Sequence, residues 1–185
     1  MKIDELVLNS KVIYRNEEIL NAIDELAFKL NSIYESREVT VLPVMTGALP
    51  FAGQLIPKLN FNLHLDYFHA SRYQSNKGTN SISIKYEPRE EKIKQKEVLL
   101  LDDILDEGHT LVFIRDRLVK QGALSVKTAV LFDKVIEKAK PINVDYFGLT
   151  VPNIYVYGFG LDFNEIGRNM SHLYAYETKQ SSEKK

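Results

Sequence analysis

The sequence of 185 residues contains no cysteine and no long apolar run, and its charges nearly cancel. Without cysteine there can be no disulfide, thiolate metal site or cysteine nucleophile. The absence of cysteine is also consistent with a protein of a reducing compartment. No window approaches the roughly 18 apolar residues of a membrane-spanning helix, and residues 1–10 lack the apolar core of a signal peptide. A formal net charge of −1 with no basic block gives no support for nucleic-acid binding. These absences predict a soluble, cytoplasmic protein with neither a nucleic-acid nor a membrane partner.

Strand and helix patterns alternate along the chain, which has about the length of one domain. Helices are predicted after Asn16, which can cap the first of them, over 48–59, and over 109–121 before Gly122. The β-branched or alternating segments that predict strands are 37–47, 61–68, 97–101, 125–134 and 153–163. The alternation predicts an α/β fold with a mostly parallel twisted sheet flanked by helices.

The segment 74–96 is polar and has few large aliphatic side chains. A loop of this length inside a compact domain is usually a functional lid or disordered. Its middle, SISIKYE at 81–87, could form a short hairpin arm. The polar tail 178–185 is expected to be a frayed end.

An acidic turn follows an aliphatic strand in EVLLLDDILDEGHTLVFIRDRL, residues 97–118. An acidic helix N-terminus explains any single aspartate, but adjacent Asp102 and Asp103 point to opposite sides of a strand end and cannot share one cap. A receiver-type pocket is a second interpretation, although such pockets gather carboxylates from separate strands. A third is a sugar-phosphate site, where carboxylates bind ribose hydroxyls while backbone N–H groups hold a phosphate. Ligands of parallel sheets bind at the carboxyl ends of the strands, where this turn is expected.

The stretch VLLLDDILDEGHTL, residues 98–111, resembles the phosphoribosyl pyrophosphate (PRPP) signature of the type I phosphoribosyltransferase family. That signature has an aliphatic strand, two acids, two aliphatics and then Asp-Thr-Gly-x-Thr. The similarity continues in the order expected of the hypoxanthine-guanine branch. The matching segments are the pyrophosphate loop at 41–55, the start of the mobile catalytic loop at 67–74, and the purine-binding strand and hood at 131–134 and 154–170.

The resemblance implies transfer of the 5-phosphoribosyl group from PRPP to hypoxanthine or guanine, with Mg²⁺, giving IMP or GMP and pyrophosphate. It also implies a single domain over 1–185 that forms a homodimer or homotetramer. The hood would come from the N-terminal segment and about 150–178, and the mobile loop from about 72–96.

For PRPP, the resemblance implies that Asp102 and Asp103 hold the ribose hydroxyls and orient the metal's shell. Asp106 matches the family's catalytic acid, near N7 of the purine, where it could exchange a proton. The 5′-phosphate would be cradled by the turn composed of Asp106, Glu107, Gly108, His109 and Thr110.

Glu107 and His109 depart from the family pattern, which commonly has Thr at the first position and Lys, Asn or Gly at the second. A carboxylate repels a phosphate, so Glu107 is expected to turn outward and leave the binding to the backbone. His109 could add a cation or be an exposed residue at the helix start.

For pyrophosphate, the resemblance implies contacts from Thr46 and Gly47, often with a cis peptide between the two residues before the glycine. Lys is frequent in the family at the position of Thr46. Arg168 matches an arginine that contacts pyrophosphate. Arg72 stands where Ser is frequent and could replace some of the missing charge, and Ser71, Arg72 and Tyr73 would form the hinge of the mobile loop.

For the purine, the resemblance implies that Lys134 donates to the 6-oxo group, Tyr155 stacks on the base and Val156 offers its backbone to the base edge. Asp162 matches the family's second metal ligand. From the residues alone, Lys134 would be an exposed lysine and Tyr155 a half-buried strand aromatic.

Three alternatives stay open at this stage. The first is a catalytically weak, nucleotide-sensing regulator on the same fold. The second is a different base, either xanthine or adenine, although Lys134 argues against adenine. The third is a hydrolase that uses the same acids, for which a lid would be counterproductive.

Overall fold

The structure is a computed structural model that describes residues 3–74 and 80–177, with the backbone alone at 72–74 and 80–81. The predicted frayed tail, 178–185, and residues 75–79 of the predicted mobile loop lie outside the described residues.

The described chain contains four α-helices and ten strands. The helices are α1 (Ile3–Leu8), α2 (Asn16–Ile33), α3 (Leu49–Leu55) and α4 (His109–Lys120), with short 3₁₀ turns at Ile56–Lys58 and Glu90–Lys92. The strands are β1 (Ser10–Tyr14), β2 (Glu38–Met45), β3 (Asn62–Leu65), β4 (Phe68–Gln74), β5 (Asn80–Tyr86), β6 (Glu97–Leu105), β7 (Ser125–Lys134), β8 (Tyr146–Val151), β9 (Val156–Tyr157) and β10 (Leu173–Tyr176).

The main sheet has the strand order β5-β4-β2-β6-β7-β8, with β3 pairing beside β4 on β2. Its pairs are parallel except for the antiparallel hairpin of β4 and β5, which contains the predicted arm. The predicted α/β fold with a mostly parallel sheet is confirmed.

The apolar run in β6 is explained by burial on both faces of this sheet. Leu99 and Leu101 pack into the core under α2, whereas Val98 and Leu100 pack into the core under α4. A strand covered on both faces has no polar side to alternate with, so its sequence is continuously apolar. The acidic turn therefore lies at the end of one of the most buried strands of the molecule.

A small second sheet, β1-β10-β9, joins the two ends of the described chain. Ser10 pairs with Tyr176, and this sheet packs on its own cluster built around Leu6, Tyr157 and Tyr174.

Several local predictions differ from the structure. Helix α2 begins at Asn16 and its N-cap is Arg15, whose backbone N–H donates to Glu18 Oε2 (2.8 Å). The strand predicted over 153–163 is reduced to β9, because the chain turns at Gly158 and Gly160, whose φ angles are 102° and 104°. Helix α1 and strands β1, β8 and β10 were not predicted. Within residues 3–74 and 80–177, no helix combines the length and the apolar character that crossing a membrane requires.

Candidate active site

A cavity of about 370 Å³ accessible to water lies at the carboxyl ends of β2 and β6. It brings together residues that the sequence predicts for PRPP and pyrophosphate, although they come from distant parts of the chain. Those among its lining residues are Thr46, Gly47, Asp102, Asp103, Asp106, Glu107, Gly108, Thr110, Asp162 and Arg168. The position agrees with the rule that parallel sheets bind ligands at their carboxyl ends.

The acidic turn connects the end of β6 to the start of α4. Leu105 is the last strand residue, Gly108 takes a left-handed conformation with φ of 83°, and α4 begins at His109. The positive end of the α4 dipole is thus at the edge of the cavity, where it favours an anion.

Asp102 and Asp103 form an adjacent pair at the cavity floor. The Asp103 N–H donates to Asp102 Oδ1 (3.0 Å) and the Ile104 N–H to Asp103 Oδ1 (2.8 Å). Burial, followed by the charge of Asp103, raises the pKa of Asp102 well above its usual range, and burial raises the pKa of Asp103. In the described part of the chain neither carboxylate has a salt bridge. A ligand that donates hydroxyl hydrogen bonds or carries positive charge would offset the burial and repulsion of these two carboxylates.

Asp106 and Lys134 form an ion pair in the lining of a second cavity of about 220 Å³. Lys134 Nζ lies 2.6 Å from Asp106 Oδ2, and the lysine side chain is only 10% exposed. Lys134 is therefore buried at the end of β7. The second cavity also contains the other predicted purine-site residues, since it is lined by Asp103, Ile104, Asp106, Lys134, Tyr155, Val156, Leu161 and Asp162.

Asp162 and Arg168 form a second ion pair at the rim shared by the two cavities. Arg168 Nη2 lies 2.5 Å from Asp162 Oδ1, and Arg168 Nη1 donates to the Gly160 carbonyl (2.6 Å). The Tyr155 hydroxyl donates to the Asp162 carbonyl (3.1 Å), and its ring packs edge-on against Phe163 at 5.2 Å. These contacts fix the position of Tyr155, while the residue stays 53% exposed and leaves its ring accessible for stacking.

The peptide bond between Met45 and Thr46 is cis, at the position that the resemblance implies. Gly47 follows, and a Cβ atom there would lie 1.9 Å from Asp103 Oδ2. A Cβ atom on Gly160 would lie 2.1 Å from the Gly47 carbonyl oxygen. Glycine is therefore required at both positions, because the Gly47 backbone packs against the Asp103 carboxylate and the Gly160 backbone packs against the Gly47 carbonyl.

Some predicted residues lie outside the two cavities, and the side chains of others lie outside the described part of the structure. His109 lines a separate cavity on the outer side of the turn, together with residues of 136–141. Ser71 lies on β4, and the side chains of Arg72 and Tyr73 lie outside the described part.

The sequence did not predict the apolar lining of the cavities, to which Ala70, Leu111, Ile104 and Leu161 contribute. Ile104 is inside the signature and Leu161 inside the similar segment 154–170, so both could have been found there. Ala70 and Leu111 carry no signal that separates them from core residues.

The donor set fits magnesium better than a transition metal. Among residues 3–74 and 80–177 no group of three His, Cys, Asp or Glu side chains could enclose a metal ion. Mg²⁺ is usually bound through one or two carboxylates together with waters and substrate phosphates. Asp102, Asp103 and Asp162 supply carboxylates of this kind at a cavity suited to an anion.

Comparison with known proteins gives the class directly, since the model of the phosphoribosyl transferase domain matches residues 9–164. The chain belongs to the phosphoribosyltransferase family, and the resemblance found in the sequence is confirmed. A hypoxanthine-guanine phosphoribosyltransferase of Lactococcus lactis is 33% identical over 164 residues, which is 88% of each chain.

Two solved structures show the same likeness. A hypoxanthine phosphoribosyltransferase of Staphylococcus aureus matches with a TM-score of 0.85 and 25% identity, covering 96% of this chain and 97% of its own. A hypoxanthine-guanine-xanthine phosphoribosyltransferase matches with a TM-score of 0.74 and 31% identity, covering 91% of this chain and 97% of its own.

Proposed function

We propose that this protein transfers the 5-phosphoribosyl group of PRPP to hypoxanthine or guanine, giving IMP or GMP and pyrophosphate, in purine salvage. One observation carries the proposal beyond family membership. The larger and the smaller cavity share Asp103, Asp106 and Asp162, so a sugar-phosphate in one would meet a base in the other at these carboxylates.

The base is held in the smaller cavity. Lys134 donates to the 6-oxo group, which selects hypoxanthine and guanine over adenine, because adenine has an amino donor at that position. Tyr155 stacks on the base and Val156 offers its backbone to the base edge. Asp106, held 2.6 Å from Lys134, exchanges a proton at N7 while N9 attacks C1′ of the ribose.

PRPP is held in the larger cavity. Asp102 and Asp103 accept from the ribose hydroxyls, and the turn from Asp106 to Thr110 binds the 5′-phosphate through its backbone and the start of α4. Glu107 lines this cavity and the neighbouring one, and we expect its carboxylate to turn away from the phosphate, whereas His109 lines the neighbouring cavity and not this one.

The pyrophosphate lies against Thr46, Gly47 and Arg168, and Arg72 adds charge from the mobile loop. Asp162, together with Asp102 and Asp103, holds Mg²⁺, which when bound neutralises charge that builds up on the leaving pyrophosphate.

Water must be excluded, because PRPP would otherwise be hydrolysed. The mobile loop predicted over about 72–96, with Ser71, Arg72 and Tyr73 at its hinge, is proposed to close over the site. Its described part contains the end of β4, strand β5 and the turn Glu90–Lys92, and residues 75–79 lie outside the described residues. The small sheet and residues 150–178 act as the hood within a single domain. Without ligand, protection from hydrogen exchange of loop amides that do not take part in the β4–β5 pairing would contradict the closure. A homodimer or homotetramer and a cytoplasmic location stay predictions.

Xanthine is the second candidate base, because the chain resembles an enzyme named for hypoxanthine, guanine and xanthine at 31% identity. The test is a turnover assay with PRPP and Mg²⁺ against hypoxanthine, guanine, xanthine and adenine. Conversion of hypoxanthine and guanine is expected, with at least tenfold lower kcat/KM for adenine. Faster conversion of xanthine than of both would establish the second candidate. Binding of bases without turnover would overturn the proposed enzyme activity and favour the nucleotide-sensing regulator.

A further inference from the structure

The segment Lys140–Pro141–Ile142, between β7 and β8, contacts the acidic turn from outside the active site. Lys140 is only 11% exposed, and its Nζ donates to the carbonyl oxygen of Leu105 (2.8 Å) and to Asp133 Oδ1 (2.6 Å). A charged amine that is nearly buried and bonded to two partners is held in one position.

Both partners of Lys140 are chain neighbours of the Asp106–Lys134 ion pair. Leu105 precedes Asp106 and Asp133 precedes Lys134, while Leu105 and Asp133 are paired in register between β6 and β7. Successive strand residues point to opposite faces, so Asp133 and Lys134 lie on opposite sides of β7. Lys140 therefore ties the two strand ends together on the face away from the base cavity.

The same segment also fixes the other end of the turn. Ile142 is 5% exposed, and a Cβ atom on Gly108 would lie 2.9 Å from Ile142 Cγ2 and 3.6 Å from Pro141 Cδ. The turn from Asp106 to Gly108 is thus held at Leu105 by Lys140 and at Gly108 by Pro141 and Ile142.

We propose that Lys140 is a positioning residue for the transfer reaction, which keeps the turn bearing Asp106 aligned with Lys134. Lys140 lines neither of the two site cavities, so it acts through the Leu105 carbonyl and Asp133 rather than on a substrate. This role rests on the function proposed above. A displacement of about 1 Å at reacting groups can slow an enzyme about 100-fold, so a brace at this point has kinetic consequences.

The primary test compares Lys140→Met, which keeps the stem and removes the donors, with Lys140→Arg, which restores charge and donors. In Lys140→Met we expect kcat to fall about 10- to 100-fold while the KM for PRPP stays within about threefold, because the Gly108 contacts remain. Lys140→Arg is expected to recover at least a third of the wild-type kcat. Lys140→Gln replaces Lys140→Met should the latter not fold.

The matched control is Lys127→Met, which removes a 2.7 Å ion pair to Asp145 near the opposite end of β7. It is expected to lower Tm like Lys140→Met and to leave kcat unchanged. The proposal is overturned by a kcat in Lys140→Met within twofold of wild type, by an equal loss of kcat in Lys127→Met, or by failure of Lys140→Arg to recover activity.

Hydrogen exchange of the ligand-free protein separates this proposal from the proposed function. Amides of 105–112 should exchange at least about fivefold faster in Lys140→Met than in wild type or Lys127→Met. That difference is expected even for a protein that turns over no purine, whereas an unchanged rate would show that Lys140 does not hold the turn.

Discussion

Four aspartates meet at the two cavities, and they are of two kinds. Asp106 and Asp162 each have a cation within 2.6 Å, from Lys134 and Arg168. Asp102 and Asp103 lie side by side in the floor, and within the described residues neither has a salt bridge.

The difference shows which parts of the site are complete before a ligand binds. A paired carboxylate already has its orientation and its counter-charge. The unpaired pair is desolvated, which raises the pKa of both groups, and the charge of Asp103 raises the pKa of Asp102 further, so the pair lowers the stability of the ligand-free protein. Groups kept at such a cost are typical of functional sites.

Asp106→Asn breaks one of the paired carboxylates and has the largest expected effect. The amide keeps the shape but cannot take a proton, so kcat should fall about 10²- to 10³-fold. Steady-state kinetics with hypoxanthine measure this. The control is Asp116→Asn on the exposed side of α4, whose carboxylate contacts Arg115. A kcat within threefold of wild type would remove Asp106 from the mechanism.

Asp103→Asn tests the unpaired kind, for which activity and stability should move in opposite directions. Loss of a charged contact to ribose should lower kcat/KM for PRPP about 10- to 100-fold, from about 1.5–3 kcal/mol. Removal of the repulsion should raise the Tm of the ligand-free protein. Asp145→Asn, which weakens the bonds to Lys127 and Thr128, should instead lower Tm. A lower Tm in Asp103→Asn would show that the pair is not a source of instability.

Arg168→Lys weakens the second ion pair without removing its charge. The guanidinium contacts both Asp162 and the Gly160 carbonyl, and an ammonium cannot reproduce that fork. We expect kcat/KM for PRPP to fall about tenfold, from the loss of about 1–1.5 kcal/mol. Arg115→Lys, at an exposed pair, should change nothing. Equal kinetics for Arg168→Lys and wild type would mean that the fork is not used.

Asp66 offers the contrasting case of a buried carboxylate that is satisfied without a ligand, and the expected effect is the smallest. Burial alone would raise its pKa, but hydrogen bonds from Lys92 (2.8 Å), the Tyr67 N–H (2.9 Å) and Tyr86 (3.0 Å) outweigh it, so the pKa is lowered. The unfolded chain then binds the proton more readily, and the stability that Asp66 contributes is lost as pH falls through the folded-state pKa.

Asp66→Asn should therefore cost about 1–2 kcal/mol of unfolding free energy near pH 7, and the difference from wild type should shrink in acid. Denaturant melts from pH 7 to pH 3 measure it. For Asp102 and Asp103 the sign is reversed, because their raised pKa makes the folded state bind protons more readily and stability fall as pH rises. Asp24→Asn, at an exposed pair with Lys58, serves as the control. A constant difference at all pH values would contradict the assignment.

Much of the fold was predictable because local patterns and burial agree. The apolar periodicity of α2 and the continuous run in β6 correspond to one buried face and two buried faces. Strand β8 was missed because its sequence, YFGLTV, alternates poorly and contains Gly148. That glycine is needed where a Cβ atom would lie 2.9 Å from the Leu131 carbonyl, a contact that only the fold creates.

The site was predictable only in part. The signature identified the acidic turn, but nothing local marks Lys134 as buried or as the partner of Asp106. These residues are 28 positions apart and meet only because β6 and β7 pair in parallel. Lys140 gave no signal at all, since its segment has no regular structure and its role depends on a backbone carbonyl 35 positions away.

Because β1 pairs with β10, the small sheet can form only late in the synthesis of the protein. Ser10 finds its partner only when Tyr176 has been made, and β10 also holds β9. The loop between these strands must be closed before their contacts form, so contacts of such high sequence separation are expected to form after the main sheet. A nascent chain that ends before residue 173 could build the floor of the site, but its strand β1 would still lack its partner, β10.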